Sequence, residues 1–193
     1  MSTLPRQRAD ATKNRERIVV EARAIFSAAN NAASLEAIAQ AAGVGIGTLY
    51  RHFPTKEALV EAVYGSELDA LELEADELIS RYPGFDAMRL WVNSYARFVT
   101  TKHAMHDALR MALTPRSGAG SETRTRINAT IAKFLAKGLQ DGSIRPRIRA
   151  DDLTLSLAGS VFAATASADQ EQLRRVLDLL MAGVRASNHP PSN

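Results

Sequence analysis

The sequence contains no cysteine, which excludes disulfides and thiolate metal sites. It also lacks a long apolar run. Its least charged segment, "LTLSLAGSVFAATASA" over residues 153–168, is shorter than the roughly 20 residues that span a bilayer. The segment is rich in Ser, Thr and Ala and reads as a buried helix of a soluble protein. The N-terminus shows no apolar run followed by a cleavage site, so a cytoplasmic protein with no membrane partner is expected. Catalytic signatures are missing too. There is no serine-nucleophile motif and no Glu-x-x-His pair of the kind a di-iron bundle needs. "GVGIG" (residues 43–47) has neither the trailing lysine of a phosphate-binding loop nor a preceding strand. No enzyme and no cofactor are expected.

Net charge is scarce as well: 24 Lys and Arg against 21 Asp and Glu leave +3. The distribution is uneven. Residues 1–56 hold eight basic and four acidic residues, whereas residues 57–82 hold one and eight. A basic head followed by an acidic stretch directs an anionic partner to the head alone. With 46% hydrophobic and 23% charged residues in 193, the chain has a globular make-up and room for a small and a larger domain.

What is present is helical periodicity almost throughout, and nothing reads as a strand. Residues 1–10 ("MSTLPRQRAD") read as a flexible basic leader. A helix from Ala11 carries Ile18, Ala22, Ile25, Phe26 and Ala29 on one face. Ser34 is placed to cap a second helix with Leu35, Ile38, Ala39 and Ala42 as its buried stripe, and Gly43 suits the left-handed position that ends it. A third helix covers about residues 47–53. Pro54 closes it, and Thr55 caps a long helix over about residues 55–80. Periodicity resumes over residues 88–99, 105–113 and 127–139, with "TPRSGAGS" (114–121) as a flexible loop and "DGSIRPR" as a stop. Two further helices start near Asp151 and Gln170, and residues 188–193 form a disordered tail. The expected fold is all-α, with about nine helices.

Two short helices joined by "AGVGIG" have the spacing of a helix-turn-helix. Leu49 and Phe53 would face inward with Ile18, Phe26, Leu35 and Ile38, and Val44 would fill the corner. Thr48, Tyr50, Arg51 and His52 remain outside. A core has no use for hydroxyls, a guanidinium and an imidazole there, but a DNA groove has. A recognition helix enters the groove by its N-terminal end, so Gly45 and Gly47 would let that end press close. Lys56 beside the Thr55 cap, and Ser34 at its own helix start, are candidates for gripping phosphate. Helix-turn-helix geometry also occurs in bundles that bind no DNA, and that alternative stays open on pattern alone.

Residues 11–65 resemble the DNA-binding domain of the TetR family of transcriptional regulators. "RIVVEARAIFSAANNAASLEAIAQAAGVGIGTLYRHFPTKEALVEAV" follows that family's motif almost position for position, and "GVGIGTLYRHFPTKEAL" is its most specific part. The resemblance implies a homodimer, each subunit having an N-terminal three-helix DNA-binding domain (11–56) and a helical ligand-binding and dimerisation domain (57–187). It also implies DNA contacts by Ser34, Gly45, Ile46, Gly47, Thr48, Tyr50, Arg51, His52 and Lys56. Many members carry polar side chains where this chain has Gly45 and Ile46, so readout is expected to lean on apolar contact and DNA shape. Beyond residue 80 the chain is similar to the SbtR-like subgroup.

In the second domain the acidic stretch "ELDALELEADEL" reads as a solvated face, with Leu68, Leu71 and Leu78 turned inward. Met88, Trp91, Tyr95, Phe98, Met105, Met111 and Phe134 lie where the resemblance places an effector cavity; about half of them are expected to be plain core. His103 and His106 share a helix face but make no closed metal site. Leu157, Val161, Leu173, Val176, Leu177, Leu180 and Val184 form an apolar stripe on the last two helices, expected to meet a second subunit. The expected activity is a ligand-responsive repressor on a palindromic operator in double-stranded DNA, its effector unknown. A non-specific architectural DNA binder and a ligand-carrying bundle are the alternatives.

Overall fold

The computed structural model describes residues 4–28, 34–100, 118–167 and 169–186. Eight helices are found among them: α1 (Leu4–Ala28), α2 (Leu35–Ala41), α3 (Ile46–His52), α4 (Lys56–Arg81), α5 (Gly84–Thr100), α6 (Gly118–Gln140), α7 (Ala150–Ser167) and α8 (Gln170–Val184). The helix expected over residues 105–113 lies outside the described residues, as do residues 188–193. The contacts divide the chain into two compact units, Met1–Asp69 and Ala70–Asn193. The division falls within α4.

The first unit is built on small and medium side chains. Ile18, Val19 and Ala22 of α1, Ile38 and Ala39 of α2, Ala42, Leu49, Phe53, and Leu59 and Val63 of α4 form its buried cluster, with Ile25, Phe26, Leu35 and Val44 packed around it. Local chemistry fixes the ends of the helices. The Ser34 hydroxyl accepts the Ala37 amide at 3.1 Å and starts α2. Gly43 adopts φ +63°, the left-handed conformation that ends a helix and that other residues reach only with strain. Pro54 forces its predecessor out of helical geometry, and α3 accordingly ends at Phe53 with φ −135° and ψ 89°. The Thr55 hydroxyl accepts the Ala58 amide at 3.1 Å and opens α4.

Residues 4–10, expected as a flexible leader, are instead the first turns of α1. Proline is compatible with a helix's first turn, where its missing N–H has no intrahelical partner to lose, and Pro5 is the second residue of α1. Likewise residues 118–121, expected in a loop, already belong to α6. A helix nucleated by its packed part extends residue by residue at little cost.

In the second unit α5 packs against α6, α7 and α8, α6 against α7, and α7 against α8. Its core joins Leu71 and Ala75 of α4 to Trp91, Ile131, Phe134, Leu157, Val161 and Met181. At the crossing of α5 and α6 a Cβ on Gly84 would strike the backbone of Gly138, and one on Gly138 would strike Ile144. Close approach therefore demands both glycines. The segment after α6 then reaches back. Asp141 accepts the Gly84 amide at 2.7 Å and Ser143 accepts the Phe85 amide at 3.0 Å, capping α5 from 57 and 58 residues away. An isolated antiparallel bridge, Ile144 to Arg185, ties this segment to the end of α8.

The acidic stretch is not simply a solvated face. Glu72 takes a forked pair of hydrogen bonds from Arg126 at 2.8 and 2.7 Å, Asp76 pairs with Lys133 at 2.7 Å, and Glu74 accepts the Ser94 hydroxyl at 2.7 Å. The bases that meet Glu72 and Asp76 lie on α6, 54 and 57 residues further on, too distant in sequence to be paired by inspection.

Candidate nucleic-acid interface

The turn between α2 and α3 is set by backbone bonds. The Gly43 amide donates to the Gln40 carbonyl at 3.0 Å and the Val44 amide to Ala39 at 2.9 Å. Gly45 then takes the N-cap position of α3 at φ −69° and ψ 147°, with its carbonyl accepting the Thr48 and Leu49 amides at 2.8 and 3.1 Å. Leu49 and Phe53 turn into the core, as their spacing predicts. The outward face carries Ile46 at 38% exposure and Tyr50 at 46%, exposed Arg51, and half-buried Thr48 and His52. His52 leans on Phe53, ring centroids 6.4 Å apart. Ser34 is exposed and Lys56 half-buried.

The glycines differ in what holds them. Gly43 needs its positive φ, and a Cβ there would lie 2.6 Å from a terminal nitrogen of Arg17. Gly45 and Gly47 have no such reason: neither has a positive φ, and a Cβ on either meets nothing within 4 Å. Gly47 is the second residue of α3, and within a helix glycine is worse than alanine, by up to about 1 kcal/mol in the interior. At position 47 the fold thus tolerates a cost that its own packing does not require.

Two side chains that sequence reasoning passed over complete this region. Arg17 of α1 donates to the Ala42 carbonyl at the end of α2, and the Arg15 guanidinium lies over the Phe53 ring, 5.1 Å from its centroid. On α1 they read as ordinary solvated bases. Only their spatial neighbours mark them out.

In the second unit the expected pocket residues form a packed cluster. Trp91 stacks on Tyr95 with centroids 5.4 Å apart, Phe134 tilts against Trp91 at 5.4 Å, and Phe98 meets Tyr95 at 6.3 Å. The buried Trp91 indole donates to the Leu71 carbonyl at 2.9 Å, and Met88 is fully buried beside these residues on α5. Met105, Met111, His103 and His106 lie outside the described residues.

The expected dimer stripe needs correction. Leu157, Val161, Leu173, Leu177 and Val184 are buried in this chain's own core, and Val176 and Leu180 are half-buried. Periodicity identifies an apolar face but not its partner, and here the stripe of α8 packs on α5 and α7 of the same chain. Among the described residues of α7 and α8, the large apolar side chains left outside are Leu155 (62% exposed), Phe162 (42%) and Leu179 (73%).

Residues 18–63 match the family profile described as bacterial regulatory proteins, tetR family, and residues 83–186 match that of the SbtR-like transcriptional regulator C-terminal domain. The chain belongs to the TetR family of transcriptional regulators. It is similar to the solved TetR transcriptional regulator SCO0520 from Streptomyces coelicolor, with 34% identity and a TM-score of 0.73 over 90% of this chain and 99% of that one. The HTH-type transcriptional regulator UidR of Escherichia coli is 27% identical over 176 residues, 86% of this chain and 87% of that relative. The match to the regulator SAR0097 of Staphylococcus aureus is 26% identical over 95 residues and spans only 50% of that relative. In this TetR-family chain residues 64–82, with most of the acidic stretch, fall between the two matched regions. No helix among the described residues is long and apolar enough to cross a membrane.

Proposed function

We propose that this TetR-family regulator is a repressor that binds a palindromic operator as a homodimer and releases it when a small molecule occupies the second unit. The observation that carries this reading is the outward face of α3, headed by Gly45 and Gly47, which neither backbone conformation nor packing requires. A surface of Ile46, Thr48, Tyr50, Arg51 and His52 behind a front without side chains suits a groove: the helix end can sit against the base edges while the longer groups reach around it. Lys56 and Ser34 flank it as phosphate contacts. Ile46 offers a thymine methyl an apolar partner, so selectivity leans on A·T contacts and duplex shape.

A twofold dimer would hold two such helices about 34–36 Å apart, one helical turn of DNA or a multiple of it. Leu155, Phe162 and Leu179 of α7 and α8 supply the apolar contact between subunits, replacing the inward-facing stripe. An effector that prefers a conformation with a different spacing lowers operator affinity by shifting the population, and α4, which contributes to both units, is the element through which it acts.

The test is enrichment of duplexes from a random-sequence pool. The expected result is a palindromic consensus retained against excess random DNA, bound by a dimer. Enrichment without a consensus would make the protein an architectural binder, and no enrichment at low salt would refute DNA recognition. Leu179→Glu should convert dimer to monomer in sedimentation and weaken binding to the enriched palindrome; an unchanged dimer would place the subunit contact elsewhere.

A further inference from the structure

We infer that Arg15 and Arg17 of α1 are positioning residues that set the angle at which α3 is offered to DNA. The inference rests on the reading of α3 as the recognition helix. A seven-residue helix is too short to hold its own orientation; that comes from what fixes its two ends. At the leading end, the last carbonyls of α2 lack intrahelical partners and carry the negative end of its dipole. Arg17 donates to the carbonyl of Ala42, the C-cap residue of α2, immediately before the left-handed Gly43. Its guanidinium fills the space a side chain at position 43 would need. At the trailing end, Phe53 is buried at 2% exposure and takes the Arg15 guanidinium over its ring. One helix thus holds the turn that leads into α3 and the residue on which α3 ends.

Both arginines are otherwise exposed, and a long exposed side chain loses considerable rotamer freedom on being held. The charge-assisted bond to a helix-terminal carbonyl and the cation–π contact are the forces that hold them. Neither group needs to touch DNA to act.

Arg17→Met and Arg15→Leu keep most of the apolar stem and remove the guanidinium. The probes are the duplex that the wild-type chain enriches from a random pool and a shuffled duplex of the same length. Arg17→Met should lower the ratio of affinities for the two duplexes about tenfold, the worth of a hydrogen bond to a charged group. Arg15→Leu should lower it about threefold, as for an exposed cation–π pair. Loss of affinity for both duplexes alike, with a shallower salt dependence, would make these residues phosphate contacts and overturn the inference. A lowered melting temperature with unchanged affinities well below it would make them merely structural, which also overturns it. Should Arg17→Met fail to fold, Arg17→Lys, which keeps the charge but not the planar fork, decides: a reduced ratio supports positioning and an unchanged one refutes it. A wild-type chain that enriches no duplex removes the DNA reading itself, whereas an enriched duplex indifferent to both substitutions removes this inference alone.

Discussion

The two units of this chain are assembled by different means. The first has a core of Ile, Val, Leu and Ala with Phe53, its α2 and α3 are seven-residue helices, and one face of α3 stays open. The second is closed around Trp91, Tyr95, Phe98 and Phe134, crossed at two glycines and tied by Arg126–Glu72 and Lys133–Asp76. Local signals fix the helix ends of the first, because caps and turns act over three or four residues. The second depends on groups brought together from 54 and 57 residues apart. A unit that must present a fixed surface to a regular duplex gains from local determination.

The contrast can be broken most forcefully at Trp91. Trp91→Ala should destabilise the second unit by about 3–5 kcal/mol, the usual cost of emptying a large aromatic site, and denaturant unfolding would read it. A loss below about 1 kcal/mol would mean the cluster is loosely packed after all. Gly47→Ala tests the opposite character of the first unit. Replacing this first-turn glycine of α3 should raise stability by up to about 1 kcal/mol while operator affinity falls about tenfold, and calorimetry beside a binding titration would separate the two. A variant that is more stable and binds as well would show that nothing approaches that face.

Asp141 sharpens the comparison through pH. Partial burial pushes its carboxyl up, but hydrogen bonds from the Ser143 side chain and the Gly84 and Ser143 amides, with nearby Lys137, outweigh this and hold it below its ordinary value of 3.8. A depressed carboxylate contributes stability that is present above 3.8 and lost as pH falls through its lower value in the folded chain. Asp141→Ala should therefore cost about 1 kcal/mol near neutrality, the worth of a helix cap, and less below pH 3.8. An equal loss at every pH would deny the carboxylate its role. The smallest change is at Lys56. Lys56→Ala should weaken binding to all sequences alike and flatten the salt dependence by about one unit of slope, and a salt titration would show it.

Much of the first unit was legible because its signals are local. Ser34, Gly43, Pro54 and Thr55 each dictate a helix end, and Leu49 and Phe53 follow from spacing. The same reasoning missed the helical start of α1, since a polar sequence with an early proline looks like a leader when no packing is visible. It assigned Leu157, Val161, Leu173, Leu177 and Val184 to a partner because apolar spacing does not say whose core an apolar face enters. Arg15 and Arg17 gave no signal at all: an arginine's purpose lies in what it meets, and Ala42 and Phe53 are 25 and 38 residues further on. Gly45 and Gly47 read in the sequence like Gly43, Gly84 and Gly138; their ordinary φ and the empty space around them separate them from glycines that the fold requires.

The reach of Asp141 and Ser143 back to the first amides of α5 has a consequence for the nascent chain. As the polypeptide leaves the ribosome, Gly84 and Phe85 emerge long before the groups that complete their turn. Until the residues 57 and 58 positions further on have been made, the first amides of α5 lack these partners, and α5 gains its fixed start only when α6 has been synthesised. Synthesis in order therefore finishes the head first and leaves the body's centre waiting on a loop.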